Sequence, residues 1–325
     1  MANCNDLFLK FHEEIVLNNS KRDNLKSARN AIRNRIKKHF KDELKDNQPD
    51  FYQQGSFSLK TTVNPIDGEY DIDDGVYLNN LDEKDIKEWP KSETVHNWVK
   101  DAVKGHTKED PDDMKSCIRV KYTGYYHVDL PIYSSLFGKI YLARRGDDQW
   151  IESDPKIYYD WFQGKIKFYG KQFRRNIHYL KAWNDYNSNP ATGIIITVLA
   201  GNNHSSNEER DDKSLVTTTG NIVSYLESNK SLHMPVEPYD DLLSGWSESK
   251  ITKLIVGIKS LRDKGNKALD EDDKDDAYKL WNSLFGDRFK NNLKKSMENN
   301  FEFEKASVVI TTPTQPWNNG DVVRG

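Results

Sequence analysis

The chain is poor in cysteine, in long apolar runs and in surplus positive charge, and each shortage removes a class of protein. Cysteine occurs only at Cys4 and Cys117 among 325 residues. Neither a disulfide framework nor a four-thiolate zinc site can be built from two thiols, and a reducing cytoplasm is the expected compartment. The longest apolar run, Ile194 to Ala200, is far shorter than the roughly 20 residues of a membrane-spanning helix. The start, Met1-Ala2-Asn3-Cys4-Asn5-Asp6, lacks the charged segment and apolar stretch of an export signal, so a soluble, unexported protein is expected. A net charge of −3 and a pI near 6.3 argue against binding long DNA or RNA through its backbone, which rests on a clear excess of Lys and Arg.

What is present is enough for a large core: 36% hydrophobic residues, with aromatics at 11%, support one bilobal domain or two ordinary ones. Charge is uneven. Lys21 to Lys45 carries ten Lys and Arg against Asp23, Asp42 and Glu43, which is either a solvated helix face or a local anion-facing surface. From Ser20, read as an N-cap, Leu25, Ala28, Ile32, Ile36, Phe40 and Leu44 recur at three- and four-residue spacing, which predicts one long amphipathic helix. After Pro49 the pattern turns to strands: Phe51 to Gln54, a Gly55-Ser56 turn and short segment, then Tyr70 to Leu78. A helix is expected over Lys84 to Lys104. Strands are expected at Ser116–Tyr122 and Tyr125–Tyr133, joined by the two-residue turn Thr123-Gly124, and at Lys139–Arg144. From Asp154-Pro155 onward the chain reads as helical, with segments at 155–163, 170–186, 190–200, 214–228, 248–268 and 275–285. The acidic run Asp270 to Asp276 reads as a solvated connection. The last residues, Thr311 to Gly325, are too polar to pack alone and are read as a flexible tail.

In Asp71-Ile72-Asp73-Asp74, alternation along a strand sends Asp71 and Asp73 to one face, about 7 Å apart, and Ile72 to the other. Adjacent carboxylates repel unless a cation neutralises them, and Mg²⁺ or Mn²⁺ favours such oxygens. In Tyr126-His127-Val128-Asp129-Leu130, Asp129 interrupts an apolar strand and needs a partner if buried. A third carboxylate beside the first two completes a two-metal clamp for phosphoryl or nucleotidyl chemistry. His127 shares Asp129's face and is read as a structural histidine outside the site. Gly55 permits close backbone approach, and Ser56 with its neighbouring amides can hold a terminal phosphate. Tyr122, Tyr133 and Tyr239 are candidates to stack bases, with nothing in the sequence to choose among them.

The order strand, Gly-Ser, short helix, Asp-x-Asp strand, lone-Asp strand resembles the polymerase-β-like nucleotidyltransferases. The string Gln54-Gly55-Ser56-Phe57-Ser58-Leu59-Lys60-Thr61-Thr62 followed by Tyr70-Asp71-Ile72-Asp73-Asp74 is similar to the bacterial cGAS/DncV-like branch. The resemblance implies an α+β class: a bilobal polymerase-β-like fold with a mixed-sheet lobe, a long N-terminal helix and a helical C-terminal lobe. The expected boundaries are residues 1–165 for the catalytic lobe with its N-terminal helices, 166–305 for the helical lobe and 306–325 for the tail. It places Gln54, Gly55 and Ser56 on a nucleotide. In Phe173 to Trp183 it implies that Lys181 reaches the donor triphosphate, and in Asn189-Pro190-Ala191-Thr192-Gly193 it offers Thr192 in place of the family's more usual Ser. Asp71, Asp73 and Asp129 become both metal ligands and catalytic residues.

By the same resemblance the activity is synthesis of a cyclic dinucleotide, cyclic GMP-AMP from ATP and GTP, with Mg²⁺ or Mn²⁺. The product is an anti-phage signal that activates a downstream effector. A ubiquitin-transfer-like enzyme acting on Gly325 is a further implied partner. The absence of a Cys/His zinc insertion separates the chain from the animal DNA sensors. Two rival readings remain: another transferase of the superfamily, modifying RNA, a small molecule or a protein, and a non-catalytic nucleotide binder. The latter gains nothing from a third carboxylate or from Lys181.

Overall fold

Two helices lead the chain, α1 (Asn5–Ile15) and α2 (Asn19–Glu43). Leu25, Ala28, Ile32, Ile36 and Phe40 form the buried stripe of α2, as their spacing predicts. The N-cap is Asn18, whose side chain accepts from the Lys21 amide at 2.9 Å, and not Ser20, which lies inside the first turn. The computed structural model describes residues 2–290 apart from 46, 47, 67, 82, 83, 147, 148 and 208. The expected tail 306–325, its terminal Gly325 and the end of the expected helical lobe therefore lie outside the described residues.

Next come β1 (Asp50–Gln54), the short helix α3 (Gly55–Leu59), β2 (Tyr70–Tyr77) and α4 (Ser92–Val103). The strands β3 (Asp112–Asp113), β4 (Ile118–Tyr122), β5 (Tyr126–Leu130), β6 (Ile132–Leu136), β7 (Lys139–Arg144) and β8 (Gln149–Glu152) follow. The sheet order is β3-β4-β5-β2-β6-β7-β8, with β1 also paired to β2. β2 runs parallel to β5 and β6, and the other pairings are antiparallel, so the sheet is mixed. Ile72, Val76, Val128, Leu130 and Ile132 of the central strands form one core with α2 and α4.

The remaining helices are α5 (Pro155–Tyr186), α6 (Gly193–Asn203), α7 (Asp211–Ser228), α8 (Glu248–Asp270) and α9 (Lys274–Phe285). Their aromatic centre joins Phe8 and Phe11 of α1 to Tyr179, Trp281, Phe285 and Phe289. No helix among the described residues is long and apolar enough to cross a membrane.

Several local readings need correction. The strand expected over Tyr125–Tyr133 breaks into β5 and β6, because Pro131 has no amide to continue the ladder. The β4–β5 turn has three residues, since Tyr122 pairs with Tyr126; Tyr125 takes a left-handed φ of 60° there. The segments expected at 155–163 and 170–186 join in α5 across a kink at Gly170 (φ 72°). The helix expected over Lys84–Lys104 shortens to α4, as Pro90 stops any approach from the N-terminal side. α1, β3 and β8 are additions. The acidic connection contributes structure, because Asp273 caps α9 through the Asp275 and Asp276 amides.

Part of the basic run is also explained. Asp74, whose side chain is fully buried, accepts a two-point hydrogen bond from Arg33 on α2. Burial pushes the Asp74 carboxyl above the usual range despite that guanidinium. Removing the arginine leaves a buried carboxylate without compensation, which costs about 3–5 kcal/mol. Arg33→Ala is therefore expected to lower stability in urea unfolding by about that amount, and adding Asp74→Asn is expected to restore most of it. Equal loss in the single and double variants would contradict the pairing.

Candidate nucleotide and metal site

Parallel register brings the site together. Across β2 and β5, Asp71 is paired with His127 and Asp73 with Asp129; on the other side of β5, Arg119 of β4 is paired with Asp129 and Lys121 with His127. All point to the face opposite buried Ile72 and Val128. Two short rows result, carboxylate–imidazole–ammonium and carboxylate–carboxylate–guanidinium. Ligand atoms of Asp71, His127 and Asp129 all lie within 4.8 Å of one another. Two unit charges at that separation repel by about 3 kcal/mol at an effective dielectric of about 20.

Burial and that repulsion act together. Asp73 is pushed well above the usual carboxylate range by burial, then by Asp71 and Asp129. Asp71 is raised by burial and by Asp129, with His127 pulling the other way. The donor set, three clustered carboxylates with too few cations to balance them, suits Mg²⁺ or Mn²⁺. Asp129 is held by Arg119, whose Nε and Nη2 donate to its two oxygens, both at 2.8 Å. This fork fixes the orientation of a carboxylate that is otherwise buried.

β1 ends at the Asp-x-Asp strand, with Gln54 opposite Asp73. Gly55 then turns at φ 68°, and a Cβ on it would lie 1.8 Å from Asp73 Oδ2. Only glycine lets the chain pass the carboxylate and start α3. Ser56 Oγ is 2.9 Å from Thr62 Oγ1, and Gln54 donates to the Tyr133 hydroxyl at 2.9 Å.

From the other lobe, Lys181 on α5 comes down onto this turn. It is buried, and its ammonium donates to Thr61 O and Thr61 Oγ1, each at 3.1 Å. Burial pushes it down to about 8, with Asp71 and Asp73 partly holding it up. Thr192 is the N-cap residue of α6, and the adjacent Gly193 leaves only 3.5 Å between a hypothetical Cβ and Lys181 Nζ. Gln54, Gly55, Ser56, Asp71, Asp73, Lys181 and Thr192 all line one cavity of about 830 Å³. Asp129 does not line it and reaches the site from the next strand.

Of the stacking candidates, Tyr133 is buried and stacked on Tyr77, and Tyr122 is stacked on Tyr126. Tyr239 is exposed and does not line the cavity. Sequence reasoning missed Arg119 and set His127 aside. Alternation in Ile118-Arg119-Val120-Lys121 marked Arg119 as facing away from the core, but only the strand pairing assigns it to Asp129.

A mixed-sheet lobe carrying Asp-x-Asp beside a Gly-Ser helix, facing a helical lobe that supplies a lysine, defines a nucleotidyltransferase of polymerase-β-like fold. Residues 49–133 match the family model described as cyclic GMP-AMP synthase DncV-like, nucleotidyltransferase domain. The chain is 26% identical over 298 residues to a cyclic GMP-AMP synthase of Escherichia coli (strain TW11681), covering 75% of this chain and 68% of that one. It is 28% identical over 185 residues to a cyclic GMP-AMP synthase of Vibrio cholerae, covering 42% of each. Among solved structures, Vibrio cholerae DncV cyclic AMP-GMP synthase superposes with a TM-score of 0.76 at 20% identity, over 89% of this chain and 98% of that one. The same enzyme in complex with a linear intermediate gives 0.77 over 89% and 97%, again at 20% identity. The structural likeness establishes the fold. Together with the family match over residues 49–133, these findings show the chain to be similar to the bacterial cGAS/DncV-like nucleotidyltransferases.

Two outcomes follow from the geometry. Gly55→Ala displaces the Asp73 carboxylate and strains the turn, so nucleotide affinity by calorimetry is expected to fall more than tenfold, while stability falls by about 1–3 kcal/mol. Unchanged affinity would contradict the close approach. Lys181 is charged below about 8 and loses that charge as pH rises through this value, whereas its ordinary value is 10.5. Between the two, the unfolded chain holds the proton more firmly, so folding stability rises with pH while attraction for a triphosphate falls. Metal-free nucleotide affinity should therefore decline above about 8, and Lys181→Arg should abolish that decline. A flat wild-type profile would contradict it.

Proposed function

We propose that the chain is a cyclic dinucleotide synthase that joins ATP and GTP into cyclic GMP-AMP by two successive nucleotidyl transfers. The observation that carries this reading is the convergence of three carboxylates, a Gly-Ser helix and a buried lysine beside one cavity of about 830 Å³. That volume lies in the upper part of the range for ligand sites. The relatives named above bear the name of that activity.

In this reading Gln54, Gly55 and Ser56 hold the β- and γ-phosphates through backbone amides and the Ser56 hydroxyl. Lys181 exchanges its bonds to Thr61 for a phosphate oxygen. Thr192, at the start of α6, completes the phosphate cradle from the helical lobe. Asp71, Asp73 and Asp129 would hold Mg²⁺ or Mn²⁺, which supplies activation of the attacking hydroxyl and neutralisation of the leaving group. The acceptor 2′- or 3′-hydroxyl passes its proton to the Asp129 carboxylate or to water and attacks the donor α-phosphate. The new P–O bond replaces that to the β-phosphate, and pyrophosphate leaves. Repetition on the linear product, turned round in the same cavity, closes the ring.

We further assign residues 1–165 to the catalytic lobe and 166–305 to the helical lobe, with a tail at 306–325. The product is an alarm signal in bacterial anti-phage defence, read by a downstream effector in the cytoplasm. Gly325 is the point at which a ubiquitin-transfer-like partner would act.

The test is incubation with labelled ATP and GTP plus Mg²⁺ or Mn²⁺, phosphatase treatment, and mass identification of resistant products. A resistant dinucleotide is expected. Asp71→Asn with Asp73→Asn should reduce its yield by about 10³-fold or more, the several kcal/mol that metal chemistry contributes. A resistant product undiminished in that variant would contradict the assignment, and linear products alone would favour another transferase of the superfamily.

A further inference from the structure

Resting on the nucleotidyl-transfer reading of this site, one residue remains unused: His127. Its ring is buried, with 6% of the residue exposed, on the same face as the carboxylates and in register with Asp71. Nδ1 lies 2.9 Å from Glu69 Oε2. A carboxylate accepts, so Nδ1 is the donor to Glu69 and Nε2 is the nitrogen left to face the carboxylates. Nε2 faces Asp129, 3.8 Å from its Oδ2, and has no hydrogen-bond partner among the described residues. A buried ring nitrogen whose neighbours are carboxylates completes a donor set for a shared cation, and the ligand atoms of Asp71, His127 and Asp129 lie within 4.8 Å of one another. An acid orienting one ring nitrogen while the other faces carboxylates is the arrangement found around metal-bound histidines. Glu69 also lines the cavity next to Asp71, so the orienting acid belongs to the same wall.

We propose that His127 is a direct nitrogen ligand of the cation held by Asp71 and Asp129, with Glu69 as its positioning residue. A mixed nitrogen and oxygen donor set suits first-row transition-metal ions such as Mn²⁺ better than Mg²⁺, which favours oxygen alone. The site is therefore tuned toward Mn²⁺. Arg119, Lys121 and Lys181 are the cations that face this cluster. Arg119 is committed to Asp129, Lys121 to Asp112 at 2.7 Å and Lys181 to Thr61, so none of them fills the position between Nε2 and the carboxylates.

The experiment is pulsed electron paramagnetic resonance on the full chain with Mn²⁺ alone, in wild type, His127→Gln, Glu69→Gln and Asp71→Asn. Wild-type Mn²⁺ is expected to show nitrogen coupling that changes isotope when histidine is ¹⁵N-labelled and disappears in His127→Gln. Glu69→Gln should retain the coupling while weakening Mn²⁺ binding about tenfold, as loss of a partner to a metal-bound histidine does, with a smaller effect on Mg²⁺. That variant leaves His127 in place and keeps the test open should His127→Gln fold poorly. Mn²⁺ bound in an Asp71-dependent way but without histidine coupling would overturn the proposal and leave the nucleotidyl-transfer reading standing. Absence of Asp71-dependent Mn²⁺ binding would overturn both.

Discussion

The parallel pairing of β2 with β5 is the constraint on which the rest depends. It sets Asp71 beside His127 and Asp73 beside Asp129, concentrating negative charge at one place in a partly desolvated wall. Such a cluster is costly on its own, and the surrounding structure is arranged around that cost. Arg119 holds Asp129 from the far side, Gly55 makes room for Asp73, and Lys181 brings a buried positive charge from the helical lobe. Arg33 neutralises the neighbouring Asp74 on the opposite face, so that the core side of β2 is balanced while the cavity side is not. The imbalance left on the cavity side is what a cation and a triphosphate would resolve together.

The two lobes divide the work by their secondary structure. Strands deliver side chains at fixed spacing, about 7 Å along a strand and under 5 Å between strands, which is what a multi-carboxylate cation site requires. A helix delivers one long flexible cation from a buried position and can release it. Among the described residues the Lys181 ammonium is hydrogen-bonded to Thr61, one residue before the Thr62 that meets Ser56, so the lysine and the phosphate-binding turn form one unit. α1 links the beginning of the chain to the helical lobe through Phe8 and Phe11, and Tyr179 donates to the Phe8 carbonyl at 3.0 Å, two residues before Lys181.

Much of this was legible in the sequence. The α2 stripe, the Asp-x-Asp alternation around Ile72 and the interruption of an apolar strand by Asp129 are local patterns, and local periodicity reads them well. What escaped was either backbone detail or pairing. Pro131 was a visible strand breaker inside an otherwise continuous apolar run, yet hydropathy alone joined β5 to β6. A helix was read as starting at Gly170, whereas the chain kinks there and the helix continues on both sides. Arg119 and Glu69 gain their roles only from which strand and loop lie beside them, information that no single segment contains. His127 was set aside because an isolated histidine is more often structural, and it is the Glu69 contact on one nitrogen and the carboxylates on the other that change that reading.

The central claim is that Asp71, Asp73 and Asp129, with the Gly55-Ser56 turn and Lys181, form one cation and triphosphate site. The most direct measurement is diffraction from crystals soaked with Mn²⁺ and a non-hydrolysable ATP analogue, using the manganese anomalous signal. The account predicts anomalous density among the three carboxylates and a triphosphate lying against Gly55, Ser56 and Lys181. Manganese or triphosphate bound elsewhere, with Lys181 still on Thr61, would contradict it.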